Sequence, residues 1–237
     1  VRRDAKKWLT LRGRSRSFLE PWEPTWAKDA LTRKAFFRRL RAYAIHTNSD
    51  TAYIFLIFRS NDRALLGGIS INDVRRGVAQ SCSIGYWIGE EYCREGYMAE
   101  ALSGLLPFIF ERLKIHRIEA ACLPHNQASR VLLTKLGFQE EGYVRRYLKI
   151  NGQWQDHVLF GLLDTDPRLA PTPLEKNATA SSRRIRRRGH LAPTPSTAQR
   201  VSHSKLWQHT LPCPNIGRIC SITKVFLARN TRQDNIG

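Results

Sequence analysis

The chain has 237 residues, of which 42% are hydrophobic and 10% aromatic, enough for one medium-sized domain with a real core and additional segments. No apolar run approaches the roughly 18–20 residues that span a bilayer, so we do not expect a membrane protein, and we see no secretory signal in the amino-terminal residues. The net charge of +19 favours acidic partners such as nucleic acid, the ribosome or a polyphosphate ligand. The five cysteines form neither a CxxC pair nor a Cys/His ligand set, so we expect reduced thiols, a cytoplasmic location and no metal.

The predicted elements of residues 1–164 alternate between strands and helices. Strands are predicted at residues 52–58, 65–72, 81–89 and 116–123. Helices are predicted at residues 31–46, 98–113 and 128–136. A last hairpin joins residues 142–149 and 156–163 through an Asn151-Gly152 turn. Because strands come first in pairs and then alternate with helices, the pattern predicts one mixed α/β (α+β) domain.

The composition changes after Leu163. Residues 165–237 contain several prolines, an arginine-rich run at 183–188 and about half of the net charge, so we expect a disordered basic tail. The alternative for the arginine run is a weak nucleic-acid contact. Residues 219–228 could form one short strand or helix, but the sequence offers them no obvious pairing partner.

A strand, a tight turn and an amphipathic helix follow one another over residues 84–102. Gly96 stands at the turn into the helix, where a residue without a side chain lets a ligand approach the backbone. The unpaired amides of the first helical turn and the helix dipole suit a pyrophosphate, and Arg94 can add a charged contact. A glycine between a strand and a helix is also common in ordinary turns, so this motif alone is weak.

A second strand and helix at residues 116–138 complete the pattern. Asn126 or Ser129 can begin or cap the helix, and Gly137 can end it. The order of strand, glycine turn, helix, strand, NxxSxxLLxKLGF (126–138) and hairpin resembles the GNAT superfamily of acetyl-CoA-dependent N-acetyltransferases. Residues 18–26 (FLEPWEPTW), GYWIG (85–89), GYMAEA (96–101) and GQWQD (152–156) resemble its ribosomal-protein-alanine N-acetyltransferase branch.

This resemblance implies a GNAT-type mixed, mostly antiparallel sheet flanked by helices, with acetyl-CoA as cosubstrate. The backbone of Trp87 and Ile88 would pair with the pantetheine arm, on a strand that splays from its neighbour. Asn126 would bind the cofactor amides, and Ser129 would lie near the cofactor sulfur. The pyrophosphate loop would comprise six residues: Cys93, Arg94, Glu95, Gly96, Tyr97 and Met98.

Three departures from the family pattern stand out. The first loop position is usually Gln or Arg and here is Cys93, and the next is often Gly and here is Arg94. Some relatives carry a tyrosine acid where Leu133 stands, which leaves Ser129 as the better acid. The chain starts where the first helix should begin, so the family's first strand is missing and we expect an exposed sheet edge.

The expected reaction is direct attack of a neutral amine on the thioester. Ser129 would protonate the leaving thiolate, or else serves only as a helix cap. Glu119 would accept the amine proton, or else forms a surface ion pair. Cys93 and Cys122 could form an acyl-cysteine, but the superfamily pattern favours direct attack.

The main hypothesis for the acceptor is a protein N-terminus, possibly that of a ribosomal protein. One alternative is a small-molecule amine, although a basic domain repels polycationic substrates. The other is a catalytically weakened, basic RNA- or ribosome-binding protein, which the arginine-rich tail would suit.

Overall fold

The structure is a computed structural model that describes residues 2–167 and 219–224. The helices are α1 (Ala5–Arg14), α2 (Arg16–Leu19), α3 (Arg33–Asn48), α4 (Tyr97–Pro107) and α5 (Gln127–Lys135). The strands are β1 (Tyr53–Arg59), β2 (Leu65–Arg75), β3 (Ser81–Ile88), β4 (Arg117–Cys122), β5 (Gln139–Ile150), β6 (Gln153–Leu163) and β7 (Ile219–Lys224). Short 3₁₀ turns occupy Glu20–Trp22 and Glu90–Tyr92.

The strands form one sheet in the order β5-β6-β4-β3-β2-β1-β7. Every neighbouring pair is antiparallel except β3 and β4, which run parallel. The predicted mixed, mostly antiparallel sheet flanked by helices is therefore confirmed. Each predicted strand and helix exists, with ends that differ from the prediction by a few residues.

The outer edge of β1 differs from the prediction. We expected this edge to be exposed and residues 219–228 to lack a partner, but β7 pairs antiparallel with β1, with Ile222 opposite Ile57. Pairing satisfies the backbone N–H and C=O groups that an edge strand otherwise presents to other chains. The arginine run at residues 183–188 lies outside the described residues.

Apolar side chains alternate along β1 and create a core on each face of the sheet. Phe55 and Ile57 face α4 and α5, whereas Leu56 and Phe58 face α1 and α3. The predicted apolar stripe of α4 and the turn after it lies in the first core: Leu102, Leu105, Leu106, Ile109 and Leu113. The sheet is thus the middle layer of three.

Helix α4 ends earlier than predicted. Residues 98–113 were expected to form one helix, but the α-helix ends at Pro107 and a π-helical turn continues over Phe108–Arg112. Proline removes one amide donor from the helix, and the hydrogen bonds that follow it are wider, as between the Leu113 amide and the Phe108 carbonyl. Ile109 remains fully buried, so the apolar stripe still faces the core after the π-helical turn. Among the described residues, no helix combines the length and apolarity needed to cross a membrane.

Candidate active site

Strands β3 and β4 separate from each other partway along their length. They pair only from Ser81 with Arg117 to Ser83 with Glu119. The rest of β3 continues to Ile88 and stays paired with β2 on its other side. The β4-facing backbone groups of the last five β3 residues therefore have no strand partner, which is the splay predicted around Trp87 and Ile88. An extended ligand with amide groups can pair there as a strand would.

The loop between β3 and α4 is the segment predicted to bind the pyrophosphate, and we call the space in front of it the anion cradle. Gly96 is the N-cap of α4 and has φ of +82°. A Cβ placed on Gly96 would meet no atom within 4 Å, so the space in front of the first helical amides is open. Arg94 and Glu95 are exposed beside this space. The geometry fits a pyrophosphate, because a helix N-terminus offers unpaired N–H groups and positive potential.

Other side chains of the loop point elsewhere. Met98 is buried in the core, so only its backbone can face a ligand. The Tyr97 ring packs edge-on against Tyr92, with 6.4 Å between the ring centroids. Burial raises the pKa of Cys93, and the adjacent Arg94 lowers it in part. The residues at this loop therefore contribute backbone amides and one exposed cation.

The N-terminus of α5 lies next to the end of β4. Asn126 is the N-cap, and its Oδ1 accepts a hydrogen bond from the Ser129 amide at 3.1 Å. Asn126 therefore caps the helix, and its side-chain NH₂ group has no partner among the described residues. The free NH₂ group can donate to a carbonyl, as the cofactor-binding role requires.

The resemblance predicted that the backbone of Tyr86, with that of Trp87 and Ile88, lies on the splayed strand, but sequence reasoning missed its side chain. The Tyr86 ring is partly buried and packs against the core on the α5 side of β3. Burial raises the pKa of Tyr86 to about 12, and hydrogen bonding with the Ser129 side chain lowers it in part. The phenol is therefore neutral and lies beside the predicted acid. No local motif links two residues more than forty positions apart, so this contact could not be predicted from the sequence.

The cysteine thiols are poor nucleophiles at neutral pH. Burial raises the pKa of Cys122 to about 11 and also raises the pKa of Cys93. Because the thiolate is the reactive form, an acyl-cysteine intermediate is disfavoured. This agrees with direct attack of the amine on the thioester.

Glu119 lies in an ion-pair network. Its Oε2 accepts from Arg75 Nη2 at 3.0 Å, and its Oε1 accepts from Arg117 Nε at 3.0 Å. Arg117 also holds Glu141 on β5. Because Glu119 pairs with Ser83, it lies on the sheet face of Gly85 and Trp87, opposite to that of Tyr86. The geometry matches the ion-pair alternative, and the role as a base stays a prediction.

A cavity of about 360 Å³ lies on this second face of the sheet, under α1 and α3. Its floor consists of two cross-strand rows from three strands: Leu56, Gly68 and Trp87, and Ile54, Ser70 and Gly85. Two of these six residues are glycines, and neighbouring side chains occupy the space over both of them. A Cβ on Gly68 would approach the Trp87 indole nitrogen to 2.7 Å, and a Cβ on Gly85 would approach the Ser70 hydroxyl to 3.1 Å.

A buried guanidinium forms one wall of this cavity. Arg12 is only 6% exposed, and it donates through Nη1 and Nη2 to both carboxylate oxygens of Glu23 at 2.7 and 2.6 Å. The indole N–H of Trp26 also donates to Glu23, at 2.8 Å. The guanidinium carbon lies 4.2 Å from the Trp26 ring centroid and 4.9 Å from that of Trp87. The pair holds residues 20–26 firmly against α1 and the sheet.

A second cavity, of about 250 Å³, lies between Pro21 and the tip of the β5–β6 hairpin. The Asn151 amide donates to the Glu23 carbonyl at 2.9 Å and joins the hairpin tip to residues 20–26. Trp22 lines the first cavity and His125 the second, and their rings contact each other with centroids 5.4 Å apart. The two rings therefore separate the two cavities.

The parallel strands β3 and β4 separate in front of the N-terminus of α4, where Gly96 forms the turn. This arrangement is typical of an acyltransferase site for a coenzyme A thioester. Residues 1–139 match the Acetyltransferase (GNAT) domain. The chain is 35% identical over 164 residues to the ribosomal protein uS5-alanine N-acetyltransferase of Escherichia coli, covering 69% of this chain and 84% of that protein. The chain therefore belongs to the GNAT acetyltransferase family.

Solved structures agree with this assignment. The Mycobacterium smegmatis RimJ structure in complex with CoA-disulfide superposes with a TM-score of 0.66 at 31% identity, covering 69% of this chain and 79% of that one. The ribosomal-protein-S5-alanine acetyltransferase of Vibrio fischeri gives a TM-score of 0.65 at 30% identity, covering 69% and 90%. The protein is an acetyl-CoA-dependent N-acetyltransferase. The described residues contain no group of His, Cys, Asp and Glu suited to a metal ion.

Proposed function

We propose that the enzyme acetylates the N-terminal α-amine of a protein in the cytoplasm, and that this acceptor is a ribosomal protein. The relatives from Escherichia coli and Vibrio fischeri are named for acetylation of an alanine of a ribosomal protein. The observation that carries the proposal is the large cavity, whose floor includes β3 at the splay. The acetyl donor approaches from the α5 face, the acceptor chain enters from the α1–α3 face, and they meet where β3 and β4 separate.

The chemistry favours an α-amine over a lysine side chain. A free α-amine has a pKa of about 7.7–8.0, whereas the lysine ε-amine has a pKa of about 10.4. A useful fraction of the α-amine is therefore neutral near pH 7.5 without a strong base. This matters because Glu119 is already held by two arginines.

Different residues of the site bind the cofactor, polarise the thioester and donate the proton. The first amides of α4 and Arg94 bind the pyrophosphate, while Asn126 and the β4-facing backbone of Ile88 orient the pantetheine amides; the Trp87 carbonyl instead faces Gly67 on β2. Backbone N–H groups of the splayed strand polarise the thioester carbonyl. Ser129 protonates the leaving thiolate, supported by the buried Tyr86 phenol.

A small-molecule amine is the second candidate acceptor. The cavity wall carries Arg12 and Arg39, which repel polycations. Glu23 is the carboxylate that lines this cavity, and it is already bound by Arg12 and Trp26. A polyamine or aminoglycoside would therefore lack a free anionic partner at this wall.

The acceptor is tested with acetyl-CoA and a panel of peptides that differ in their first residue, with CoA release as the readout. We expect turnover on peptides that begin with Ala, Ser or Thr, and none on the same peptides with a blocked N-terminus. Turnover on spermidine but on no peptide would contradict the proposal.

Ser129→Ala tests the acid. We expect kcat to fall by about 10²-fold, the lower end for a general acid, while the Kd for acetyl-CoA stays within about twofold. The matched control is Thr134→Ala, which removes a hydroxyl that only bonds the Arg130 carbonyl within α5. Equal rates for Ser129→Ala and the parent enzyme would leave Ser129 with a structural role.

A further inference from the structure

The β5–β6 hairpin carries the aromatic surface of the protein. Seven large hydrophobic side chains are exposed among the described residues, and all the aromatic ones lie on this hairpin. Trp154 is 61% exposed, Tyr143 58% and Tyr147 44%. Scattered exposed apolar residues are ordinary, but a concentration of aromatic rings on one element indicates a binding surface.

Basic side chains lie among these rings. Arg145, Arg146 and Lys149 are exposed on β5, and no carboxylate among the described residues forms an ion pair with them. Together with Tyr143 and Trp154 they form what we call the hairpin patch. Its net charge is positive, because Asp156 is the carboxylate that contacts it, while Glu140 and Glu141, earlier on β5, are paired with arginines outside the patch.

The Asp156 carboxylate accepts hydrogen bonds from groups of the hairpin itself. Its Oδ2 accepts from the Tyr143 hydroxyl at 2.5 Å, and its Oδ1 accepts from the Arg146 amide at 2.8 Å. These hydrogen bonds, with the nearby Arg145 and Arg146 charges, lower the pKa of Asp156. The carboxylate therefore fixes the Tyr143 ring and the backbone of β5, and it leaves the guanidinium groups free for a ligand.

The strand geometry presents two rings and a cation on one face of the hairpin. Lys149 is the cross-strand partner of Trp154, and Tyr143 bonds Asp156, which alternates onto the same side of β6 as Trp154. The register shifts between Val144 and Leu148, and Arg146 takes a left-handed φ of +46°. Such an irregularity bends a strand and re-aims its side chains. The Tyr147 ring lies on the opposite face, edge-on against His157 with centroids 5.8 Å apart.

We propose that the hairpin patch binds single-stranded RNA. Exposed rings give bases a stacking surface, and interleaved Arg and Lys residues hold the phosphates, which is how sequence-tolerant single-strand binding proteins work. A second copy of this chain fits poorly, because a two-fold interface would bring the same cations against each other. This inference concerns a surface separate from the acetyl-transfer site and does not depend on the acceptor.

The test uses the full chain and a fluorescein-labelled 12-nucleotide oligouridine, with fluorescence anisotropy at a series of salt concentrations. Trp154→Ala is expected to weaken binding about tenfold without changing the salt dependence, because it removes stacking but no charge. Arg145→Ala is expected to reduce the slope of log Kd against log salt by about 0.7, the value for one phosphate contact on a single strand.

Two matched controls lie on α3, away from the hairpin. Ile45→Ala removes an equally exposed apolar side chain, and Arg41→Ala removes an exposed cation. Each control has the same net charge as its partner variant, so the basic residues 183–188 contribute equally to both. An unchanged melting temperature for Trp154→Ala verifies that the fold is intact.

The proposal is overturned if Trp154→Ala and Ile45→Ala bind the oligonucleotide equally, or if Arg145→Ala and Arg41→Ala share one salt slope. It is also overturned if labelled oligoglutamate binds as tightly as the oligonucleotide and loses affinity in Trp154→Ala. That result would assign the hairpin patch to an acidic protein partner.

Discussion

Arg94 has a backbone conformation that favours glycine and a positive charge that can bind phosphate. Its φ of +63° lies in the left-handed region, where related loops often carry glycine. Arg94 therefore combines a left-handed backbone with a positive side chain, and substitutions can separate the effects of the two. The side chain adds a cation at the anion cradle, while its Cβ strains the backbone.

Replacing Arg94 with Gly relieves the strain and removes the cation. We expect stability between unchanged and about 1 kcal/mol higher, because the relief is partly offset by the entropy of glycine in the unfolded chain. The Kd for coenzyme A should rise about three- to fivefold, as for one exposed charged contact. Calorimetric titration and thermal melts measure the two effects.

Lys114→Gly is the control for Arg94→Gly, since Lys114 has a φ of +53° and lies after the α4 segment, away from the loop. It should give a similar change in stability with an unaltered Kd. If Arg94→Gly also leaves the Kd for coenzyme A unaltered, Arg94 does not contact the cofactor.

Tyr86 and Ser129 form a pair of hydroxyl groups at the splay. Tyr86→Phe keeps the buried ring and removes only the phenol, so the fold should be retained. We expect kcat to fall roughly tenfold, less than for loss of a direct acid, with the KM for acetyl-CoA unchanged. Stopped-flow detection of the thiol product measures kcat.

Tyr53→Phe removes the hydroxyl that bonds Asp50 on the far side of β1, and it serves as the control. Its effect should appear in stability and not in turnover. A Tyr86→Phe enzyme as fast as Tyr53→Phe would show that Ser129 acts without the phenol.

At the scale of elements, the splay depends on how tightly β2 holds β3. Gly67 lies opposite Ile88, and a Cβ at Gly67 would overlap the carbonyl oxygen of Trp87. Backbone atoms cannot move aside as a flexible side chain can. We therefore expect Gly67→Ala to lower the free energy of unfolding by about 1–3 kcal/mol, in the range of overpacked cores, and to raise the KM for acetyl-CoA.

Gly142→Ala on β5 is the matched control, because a Cβ there meets no atom within 4 Å. Urea denaturation of the two variants gives the comparison. Equal stability would mean that β3 can shift without loss, and the rigid splay would then be wrong.

The elements that repeat a local pattern could be predicted from the sequence. The capped helix after β4, the glycine turn before α4 and the hairpin with its Asn151-Gly152 turn each have a short-range cause, and each is present. The candidate cofactor-binding residues could be predicted because they lie on these elements. The acceptor side could not, because the contact of Arg12 with Glu23 and the aromatic rings depends on packing between distant segments.

At the scale of the whole molecule, the sheet is completed by a strand far away in the chain. Pairing of β7 with β1 had no signature in either segment, since long-range strand pairing depends on the rest of the fold. Thr223→Pro removes the amide that β7 directs at Leu56 of β1, and it restricts the backbone in the middle of β7. We expect faster hydrogen exchange in β1 and a lower melting temperature.

Hydrogen exchange of β5 in the same variant is the internal control, because β5 forms the opposite edge of the sheet. Its protection should stay the same. If β1 keeps its protection in Thr223→Pro, then β7 does not cover that edge in solution.

The position of β7 in the chain also affects how the protein is made. At about 5–20 residues per second, a ribosome needs roughly 8–30 seconds to translate the stretch between Arg59 and Ile219. During this interval the nascent chain carries β1 without its outer neighbour. Translation speed along this stretch therefore determines how long an unpaired strand is available to other nascent chains on the same message.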